Sequence, residues 1–397
     1  MTIIYIMIII LNVITLGSLL YFGITSLFVM FKDRHVSEFV PKTKFAVLIA
    51  ARNEEKVLPH LLSSLNNQAY PDELYDVYVI PNNCTDNTQS VAAQNGAKIV
   101  DVSSTDVKSK GEALKYTFEY FKSNNMKYDA YIIFDADNVV HPNFLKKAND
   151  YYCSGVKVAQ GYRDSKNPCD TWISGAFSIY HWINDTFINN SRNNIKQSSF
   201  INGTGFMVAS SVIEKIGYNV STITEDTEFS ILCALNGYKI GFMKEAVTYD
   251  EQATDFKTSI KQRKRWSYGT LQCLKKYGAK LVKKHSFQSI DMVMFLMGSI
   301  LQLIAIVAQV VSNMPFSILY NGIISLIIGL GISFVSSIFI ALITVIINKK
   351  KVNIFGVLLF PLFIITWIPI NIIVLFKKEC KWEQIAHDRV LTIDEVA

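Results

Sequence analysis

The stretch YIIFDAD, residues 131–137, joins a short apolar run to two carboxylates that follow it closely. Four consecutive apolar residues, Tyr131 to Phe134, that end in a carboxylate predict a buried strand, as in a parallel sheet. In open α/β sheets, ligands bind outside the carboxyl ends of the strands. The stretch therefore predicts an α/β fold in which Asp135 and Asp137 project into a cleft.

The residues on either side of this stretch alternate between strand and helix patterns. We predict strands at 45–49, 75–80, 98–102, 131–134 and 156–161, and helices at 55–65, 87–95, 111–123, 172–190 and 226–236. Such alternation is typical of βαβ units around a mostly parallel sheet. Residues 40–254 are thus expected to form one α/β domain.

Two apolar blocks flank this domain. Residues 3–31 carry no charged side chain, and about 20 apolar residues suffice to cross a bilayer. We predict a transmembrane helix over residues 1–32 and a transmembrane or channel region over residues 290–376. Lys32 and Arg34 follow the first span, which indicates its cytoplasmic side. The α/β domain is therefore expected to be cytosolic, in a multi-pass protein of the cell membrane.

The second block divides into apolar segments at 290–311, 316–347 and 354–376. Lysines at 349–351 and at 377–378 both suit the cytoplasmic side, yet three simple crossings cannot leave both groups there. One segment must be re-entrant, interfacial or doubled, and Pro361 and Pro369 make the last segment a candidate. Residues 377–397 are expected to form a cytosolic tail.

The net charge of +6 is concentrated beside the second apolar block. Residues 255–285 contain ten lysines and arginines against the single acid Asp255. We expect basic amphipathic interface helices over residues 255–289, because anionic headgroups or a substrate pyrophosphate explain this cluster better than nucleic acid does. Membrane lipids, and no nucleic acid, are therefore the expected partners.

Three short motifs combine residue types that carry chemistry, and each has a structural alternative. Asp135 and Asp137 supply the oxygen ligands that Mg²⁺ or Mn²⁺ prefers, but they also suit a solvated loop. Thr224-Glu225-Asp226 suits a helix N-terminus, or it provides a general base. QRKRW, residues 262–266, suits a basic helix face at a membrane, or its arginines bind a pyrophosphate while the indole stacks on a sugar.

Missing patterns exclude other chemistries. The chain has no G-x-x-x-x-G-K-[ST] loop and no G-x-G-x-x-G after its first strand, which argues against a P-loop ATPase and a dinucleotide enzyme. The six cysteines show no C-x-x-C spacing, so neither a zinc site nor a disulfide scaffold is predicted.

Seven motifs follow one another along the chain: Asn53-Glu54, Asn83 to Asp86, Lys110-Gly111, Asp135-Ala136-Asp137, Gly203-Thr204-Gly205, Thr224-Glu225-Asp226 and Gln262 to Trp266. Together they resemble the signature of the processive family-2 glycosyltransferases, the group of cellulose, mixed-linkage glucan, hyaluronan, chitin and poly-N-acetylglucosamine synthases. The resemblance implies a GT-A-type, Rossmann-like catalytic domain with transmembrane helices on both sides. The last motif is the specific one, because non-processive relatives usually lose Gln-x-x-Arg-Trp.

The resemblance also implies a role for each motif. The residues implied in donor binding are Glu54, Asn83, Asp86, Lys110, Asp135, Gln262, Arg263 and Arg265. The residues implied in acceptor binding are Gly203, Thr204, Gly205 and Trp266, and those implied in catalysis are Thr224, Glu225 and Asp226. Asp137, with Asp135, would bind Mg²⁺ or Mn²⁺. Asp226 would take the proton of the acceptor hydroxyl as that hydroxyl attacks the anomeric carbon from the opposite face, which inverts the linkage.

The implied function is the extension of a β-linked polysaccharide from a UDP-sugar and its translocation across a membrane, which we expect to be bacterial. We favour UDP-glucose and a cellulose-like or mixed-linkage β-glucan. The alternatives are a hyaluronan or poly-N-acetylglucosamine synthase, and a non-processive enzyme that glycosylates a lipid. The alternative that is not an enzyme is a membrane transporter or a catalytically inactive binding subunit, whose carboxylates would be structural. The expected partners are the UDP-sugar donor, the nascent polysaccharide and membrane lipids.

Two regions depart from the family pattern. Asn82 and Asn83 stand where many relatives have acidic residues, so a nucleobase contact there would use an amide. The tail at 381–387 lacks the Phe-x-Val-Thr-x-Lys gating loop of cellulose synthases. The sequence leaves open whether Trp382 and His387 replace that loop.

Overall fold

The computed structural model describes residues 2–312, 320–377, 379–380 and 389–396. The chain forms two compact units, which we name by their content. The sheet unit comprises Lys32–Asn167, Arg192–Gln252 and Glu383–Ala397. The helical unit comprises Met1–Phe31, Pro168–Ser191 and Ala253–Trp382.

The regular elements are numbered in chain order. The strands are β1 (Phe45–Ala51), β2 (Tyr75–Pro81), β3 (Lys98–Ile99), β4 (Ala130–Asp135), β5 (Val139–Val140), β6 (Val158–Ser165), β7 (Phe206–Ala209) and β8 (Ile240–Asp250). The helices are α1 (Thr2–Leu27), α2 (Leu58–Asn66), α3 (Thr88–Gln94), α4 (Lys110–Ser123), α5 (Phe144–Cys153), α6 (Trp172–Ile183), α7 (Ser191–Asn194), α8 (Ser210–Ile216), α9 (Glu225–Leu235), α10 (Phe256–Lys283), α11 (Phe287–Ser312), α12 (Tyr320–Ile347), α13 (Ile354–Leu358), α14 (Phe360–Ile365), α15 (Trp367–Phe376) and α16 (Ile393–Val396). A π-helical segment, Asn184–Asn190, follows α6.

The strands form one mixed sheet in the order β3-β2-β1-β4-β7-β6-β8-β5. β1 pairs in parallel with β2 and β4, β2 with β3, and β6 with β8. β7 lies antiparallel between β4 and β6, and β5 is antiparallel to β8. All strands of this described sheet except β5 and β7 therefore run in one direction, and their carboxyl ends share one edge. The predicted α/β class is confirmed.

Strand β1, FAVLIAA, is apolar throughout because both of its faces are covered. Phe45, Val47 and Ile49 pack in one core cluster with α2 and α5. Ala46 and Leu48 point to the other face and join a cluster with α4, α8 and α9. Burying each large apolar side chain stabilises a fold by about 1.5–3 kcal/mol, so these two layers hold the edge of the sheet in place.

The structure differs from the sequence prediction at several elements. The helix predicted from residue 55 begins at Leu58, after a loop in which Asn53 has a left-handed φ of 56°. β6 runs to Ser165, beyond the predicted end at residue 161. β5, β7 and β8 were not predicted. In β8 the apolar pattern is interrupted by exposed Lys244 and Glu245.

Within the described residues of the helical unit, helices at Tyr5–Met30, Phe287–Val311 and Ile327–Ile347 are long and apolar enough to cross a membrane. α1 packs against α11, and α10 packs against α11 and α15. α10 is a single helix over most of the segment predicted to be basic and amphipathic. Residues 316–319, the start of the predicted middle span, lie outside the described residues.

The last apolar segment is divided into α13, α14 and α15, with breaks at Leu359 and Thr366. Each break falls two or three residues before a proline, Pro361 or Pro369. Proline removes a backbone donor and its ring clashes with the carbonyl four residues earlier, which explains both positions. The segment is therefore not one continuous helix, and whether it is re-entrant, interfacial or doubled stays a prediction. The tail residues 381–388, which include Trp382 and His387, lie outside the described residues.

Candidate active site

Asp135 and Asp137 lie at the carboxyl end of β4, as predicted. The Asp135 backbone N–H donates to Thr204 Oγ1 over 2.9 Å, and the Thr204 hydroxyl donates to Asn138 Oδ1. Asn138 Nδ2 in turn donates to Asp137 Oδ1 over 3.3 Å. Thr204 and Asn138 are fully buried, so the loop that enters β7 fixes the backbone that carries both carboxylates.

The same loop needs its two glycines. Gly203 and Gly205 have φ values of 89° and 63°, a region that disfavours residues with a side chain. A Cβ on Gly205 would lie 2.8 Å from Thr248 Oγ1, and a Cβ on Gly203 would lie 3.5 Å from Asp226 Oδ2. The loop thereby brings the Asp226 carboxylate close to Gly203.

Lys110 connects the carboxylates of this site. Its ammonium pairs with Asp135, donates to the Gly203 carbonyl over 2.7 Å and lies 3.8 Å from Glu225 Oε1. Burial lowers the pKa of Lys110, but Asp135 and Glu225 outweigh burial and hold the pKa above its ordinary value. The lysine stays charged and bridges the ends of β4 and α9.

The acids of the Thr-Glu-Asp motif occupy the start of α9. Burial raises the pKa of Glu225 to about 7, with Lys110 opposing and Asp226 adding to the shift. Burial also raises the pKa of Asp226, while the Thr227 N–H, 2.7 Å from Asp226 Oδ1, opposes the shift. A carboxylate with a raised pKa at a helix N-terminus suits general-base chemistry near neutral pH.

An ion pair that the sequence analysis missed borders the same edge. Arg163 at the end of β6 donates to Asp250 Oδ2 through Nε over 2.7 Å and also through Nη2, and its Nη1 donates to the Asn202 carbonyl over 2.9 Å. Burial raises the pKa of Asp250 to about 6, with Arg163 opposing. Arg163 and Asp250 lie near the carboxyl ends of β6 and β8, where polar residues are candidates for a site. They were missed because β8, and the end of β6, were not predicted.

The predicted nucleoside-binding residues lie in the loops that follow β1 and β2. Asp86 Oδ1 accepts the Thr88 N–H over 3.0 Å, and its Oδ2 accepts the Glu55 N–H over 3.2 Å. The Glu54 N–H donates to Thr88 Oγ1 over 2.8 Å. Asp86 therefore ties the two loops together and positions Glu54.

Asn83 supports the second loop from its other side. It has a left-handed φ of 54°, and its Nδ2 donates to Asn82 Oδ1 over 2.8 Å and to the Val107 carbonyl over 2.9 Å. Asparagine tolerates this backbone region better than most residues. Glu54, Asn83 and Asp86 are thus brought together at one part of the edge.

The motif at residues 262–266 lies in α10 of the helical unit. Arg263 is fully buried; its Nη1 donates to the Phe363 carbonyl and to Thr366 Oγ1, over 2.7 Å each, and its guanidinium lies 4.2 Å from the Phe363 ring centroid. Burial lowers the pKa of Arg263 to about 10. Arg263 therefore joins α10 to α14, and its predicted donor contact stays a prediction.

Trp266 belongs to an aromatic cluster with Phe177, Tyr180 and Trp367. Its ring is nearly parallel to Tyr180, with centroids 6.2 Å apart, and to Trp367, with centroids 6.5 Å apart. Gln262 and Arg265 are half-buried on the same helix. Gln262 Oε1 and Trp367 Nε1 are buried without a hydrogen bond in the described part of the chain. Such atoms beside aromatic rings are suited to the hydroxyls and faces of a sugar.

The carboxylate end of β4 fits a divalent cation. No group of three or more acidic, histidine or cysteine side chains placed to hold a metal occurs among the described residues. Mg²⁺ in nucleotide sites is usually bound by one or two carboxylates plus substrate phosphates, so a larger cluster is unnecessary. Asp137 and Asp135 would hold such an ion together with a phosphate-bearing ligand.

A family model matches a continuous range that includes most of the sheet unit. The model of the family described as "Glycosyltransferase like family 2" matches residues 41–269, which include all seven motifs. This range is more than half of the chain.

Named relatives fall in the same group. "Probable glycosyltransferase YdaM" of Bacillus subtilis (strain 168) is 27% identical over 250 residues, 60% of this chain and 58% of that protein. "Beta-monoglucosyldiacylglycerol synthase" of Synechocystis sp. is 24% identical over 241 residues, 59% of this chain and 49% of that protein. The chain thus matches only about half of the length of these relatives.

A solved structure shares the fold over nearly the whole chain. It is described as mannosyltransferase PcManGT from Pyrobaculum calidifontis in complex with GDP-Man and Mn²⁺. The TM-score is 0.63 at 15% identity, and the match covers 95% of this chain and 100% of that one. The predicted GT-A-type fold is therefore confirmed.

Proposed function

This chain belongs to glycosyltransferase family 2, and on that premise we propose that it transfers a hexose from a UDP-sugar, with inversion, to a growing β-linked polysaccharide. The observation that carries the proposal is the contact of Lys110 with both Asp135 and Glu225, the neighbour of Asp226. Through this contact, the motif proposed to bind the donor, at Asp135, lies beside the motif proposed to supply the base, at Glu225 and Asp226.

In this reaction Asp226 is the general base. Its carboxylate accepts the proton of the acceptor hydroxyl, the hydroxyl oxygen forms a bond to the anomeric carbon, and the bond from that carbon to the diphosphate breaks. The electron pair of the broken bond leaves with UDP. Lys110 and the N-terminus of α9 hold the carboxylates in position for this step.

The donor lies along the edge from β1 to β4. Glu54, Asn83 and Asp86 contact the uridine, and Asp135 and Asp137 face the diphosphate. A divalent cation held by Asp137 and Asp135 supplies positive charge to the diphosphate when it is bound. Mn²⁺ in the mannosyltransferase of the same fold supports this assignment.

Trp266 and the aromatic rings beside it are the acceptor-binding residues of this proposal. Trp266 stacks on the acceptor sugar, and Gln262 and Trp367 offer polar atoms to its hydroxyls. Three membrane-length helices among the described residues support a multi-pass membrane enzyme with a cytosolic sheet unit. We favour UDP-glucose as the donor and a cellulose-like or mixed-linkage β-glucan as the product, which the enzyme also translocates. A hyaluronan-type or poly-N-acetylglucosamine-type product is the alternative polymer.

A second candidate is the transfer of a single sugar to a membrane lipid. It is favoured by the relatives named beta-monoglucosyldiacylglycerol synthase, a name that describes a glycolipid product. The Gln-x-x-Arg-Trp motif at residues 262–266 favours the polymer instead.

One experiment separates the candidates. Membranes containing the protein are incubated with Mn²⁺ and UDP-glucose, UDP-N-acetylglucosamine or UDP-glucuronic acid, and released UDP is measured. The product is then divided by organic extraction and digested with linkage-specific hydrolases. We expect an aqueous-phase polymer cleaved by a β-glucanase; a product found only in the organic phase would support the lipid candidate. No UDP release from any donor would contradict both.

A further inference from the structure

Lys166 is a buried lysine of the sheet unit that forms no ion pair with any residue the structure describes. It directly follows β6, at the edge where Asp135 and Asp137 lie, and it is 6% exposed. Its Nζ is buried and has no hydrogen-bond partner in the described part of the chain. Burying a charge without a partner is costly, and native proteins rarely keep such a group unless a ligand or a function requires it.

The carboxylates around Lys166 are engaged elsewhere. Asp250 accepts hydrogen bonds from Arg163 at Oδ2 and from Gln252 Nε2 at Oδ1, the latter over 2.8 Å. Glu251 Oε2 accepts the Arg389 N–H over 3.1 Å. Burial lowers the pKa of Lys166, and Asp137 is the carboxylate that opposes this shift most strongly.

Hydrogen bonds of Lys166 and of the next residue, Asn167, to the end of β8 and the segment that follows it fix the position of Lys166. Its N–H donates to the Asp250 carbonyl over 2.9 Å. The next residue, Asn167, exchanges two hydrogen bonds with Gln252: Asn167 Nδ2 donates to the Gln252 carbonyl over 2.9 Å, and the Gln252 N–H donates to Asn167 Oδ1 over 2.8 Å. The ammonium is therefore presented from a rigid strand end, which suits a preorganised ligand contact.

The two lysines of this edge have different surroundings. Lys110 is committed to Asp135, the Gly203 carbonyl and Glu225. Lys166 interacts electrostatically with Asp137, on the side of the candidate metal, and with Glu54, on the side of the predicted nucleoside. A diphosphate that joins the nucleoside to the sugar and is held by the metal would pass between these two acids.

We propose that Lys166 binds the diphosphate of the nucleotide donor, a contact that the family motifs assign to other residues. The inference rests on the proposed function, because it assumes that the ligand of this edge carries a diphosphate. It makes Lys166 a donor-binding residue, while Lys110 mainly positions the carboxylates of the site.

The test compares Lys166→Met, which keeps the length of the side chain but removes the charge, with the wild type. Lys157→Met is the matched control, because Lys157 is exposed and directly precedes β6, at the opposite end of that strand from Lys166. Thermal unfolding of the full-length protein is followed with no ligand, with Mn²⁺ and UDP, and with Mn²⁺ and inorganic diphosphate. Dissociation constants for both ligands are measured by titration.

We expect Lys166→Met to weaken the binding of UDP and of inorganic diphosphate by roughly 10- to 100-fold, the usual effect of losing a charged hydrogen bond. Its Tm without ligand should equal or exceed that of the wild type, since the variant removes a buried unpaired charge. Lys157→Met should change neither quantity. Lys166→Arg should recover part of the affinity.

An unchanged affinity of Lys166→Met for both ligands would overturn the inference. A ligand-free Tm that falls at the same time would make Lys166 a structural partner of the surrounding acids instead. Wild-type protein that binds Mn²⁺ and diphosphate but releases no UDP from any sugar nucleotide would contradict the proposed function and leave this inference standing.

Discussion

Replacing Lys110 with methionine should destabilise the sheet unit in a pH-dependent way. The variant removes the cation that pairs with Asp135 and faces Glu225, and so leaves adjacent carboxylates without compensation. Breaking a fully buried ion pair costs about 3–5 kcal/mol. The Asp135 side chain is 37% exposed, so water screens part of this loss, and we expect about 2–3 kcal/mol.

The pH dependence follows from Glu225. Its pKa is raised from the ordinary 4.5 to about 7 while Lys110 still opposes the shift, so removing Lys110 raises that pKa further. The folded variant then holds a proton that the unfolded chain releases above about pH 4.5. Stability therefore falls as pH rises from about 4.5 to the pKa of Glu225 in the folded protein. In the wild type this fall ends near pH 7, whereas in the variant it continues to higher pH. The loss of stability relative to wild type is therefore larger at pH 8 than at pH 5.5.

The assay is thermal unfolding of the purified protein in detergent at both pH values. We expect a Tm lower by about 5–10 °C at pH 8 and a smaller decrease at pH 5.5, using the scaling for a unit of roughly 200 residues. Lys122→Met is the control, since Lys122 is exposed in the last turn of the same helix. A Tm unchanged at pH 8, or an equal decrease at both pH values, would refute the reasoning.

Three further predictions test other parts of the site. Gly205→Ala should lower the Tm by several degrees, because its Cβ would lie 2.8 Å from Thr248 Oγ1 at a φ of 63°; the same Tm as wild type would show that the loop adapts. Trp266→Ala should weaken acceptor binding, seen as a raised acceptor KM, more than it weakens UDP binding, and an equal loss of both would contradict the stacking role. Chelation with EDTA should stop UDP release, and added Mn²⁺ or Mg²⁺ should restore it. Full activity in EDTA would contradict the proposal that Asp135 and Asp137 bind a catalytic metal.

The sequence predicted the parts of the fold that have a strong local pattern. β1 and β4 are apolar runs buried on both faces, and β2 is buried over its last four residues. The polar residues that end or follow these strands belong to the motifs that lie at one edge of the sheet. The long apolar helices on both sides of the sheet unit in the sequence follow from apolar length alone. Pro361 and Pro369 each follow a break in the last apolar segment by two or three residues, since the effect of a proline on a helix is local.

The remainder depends on contacts between residues distant in sequence. β7 is four residues long and pairs with β4 and β6, so its own pattern is too short to predict it. The Arg163–Asp250 pair arises because β6 and β8 are neighbours, with an irregularity in their register after Gly161. Arg263 is chemically suited to a pyrophosphate, yet packing against α14 buries it. No periodicity in the sequence encodes such pairings.

The central claim, inverting transfer with Asp226 as the base, is tested most directly by UDP release from the Asp226→Asn variant. A general base contributes about 10²- to 10⁴-fold to rate, so we predict a loss of that size with UDP affinity within about twofold of the wild type. Wild-type UDP release by Asp226→Asn would contradict the claim.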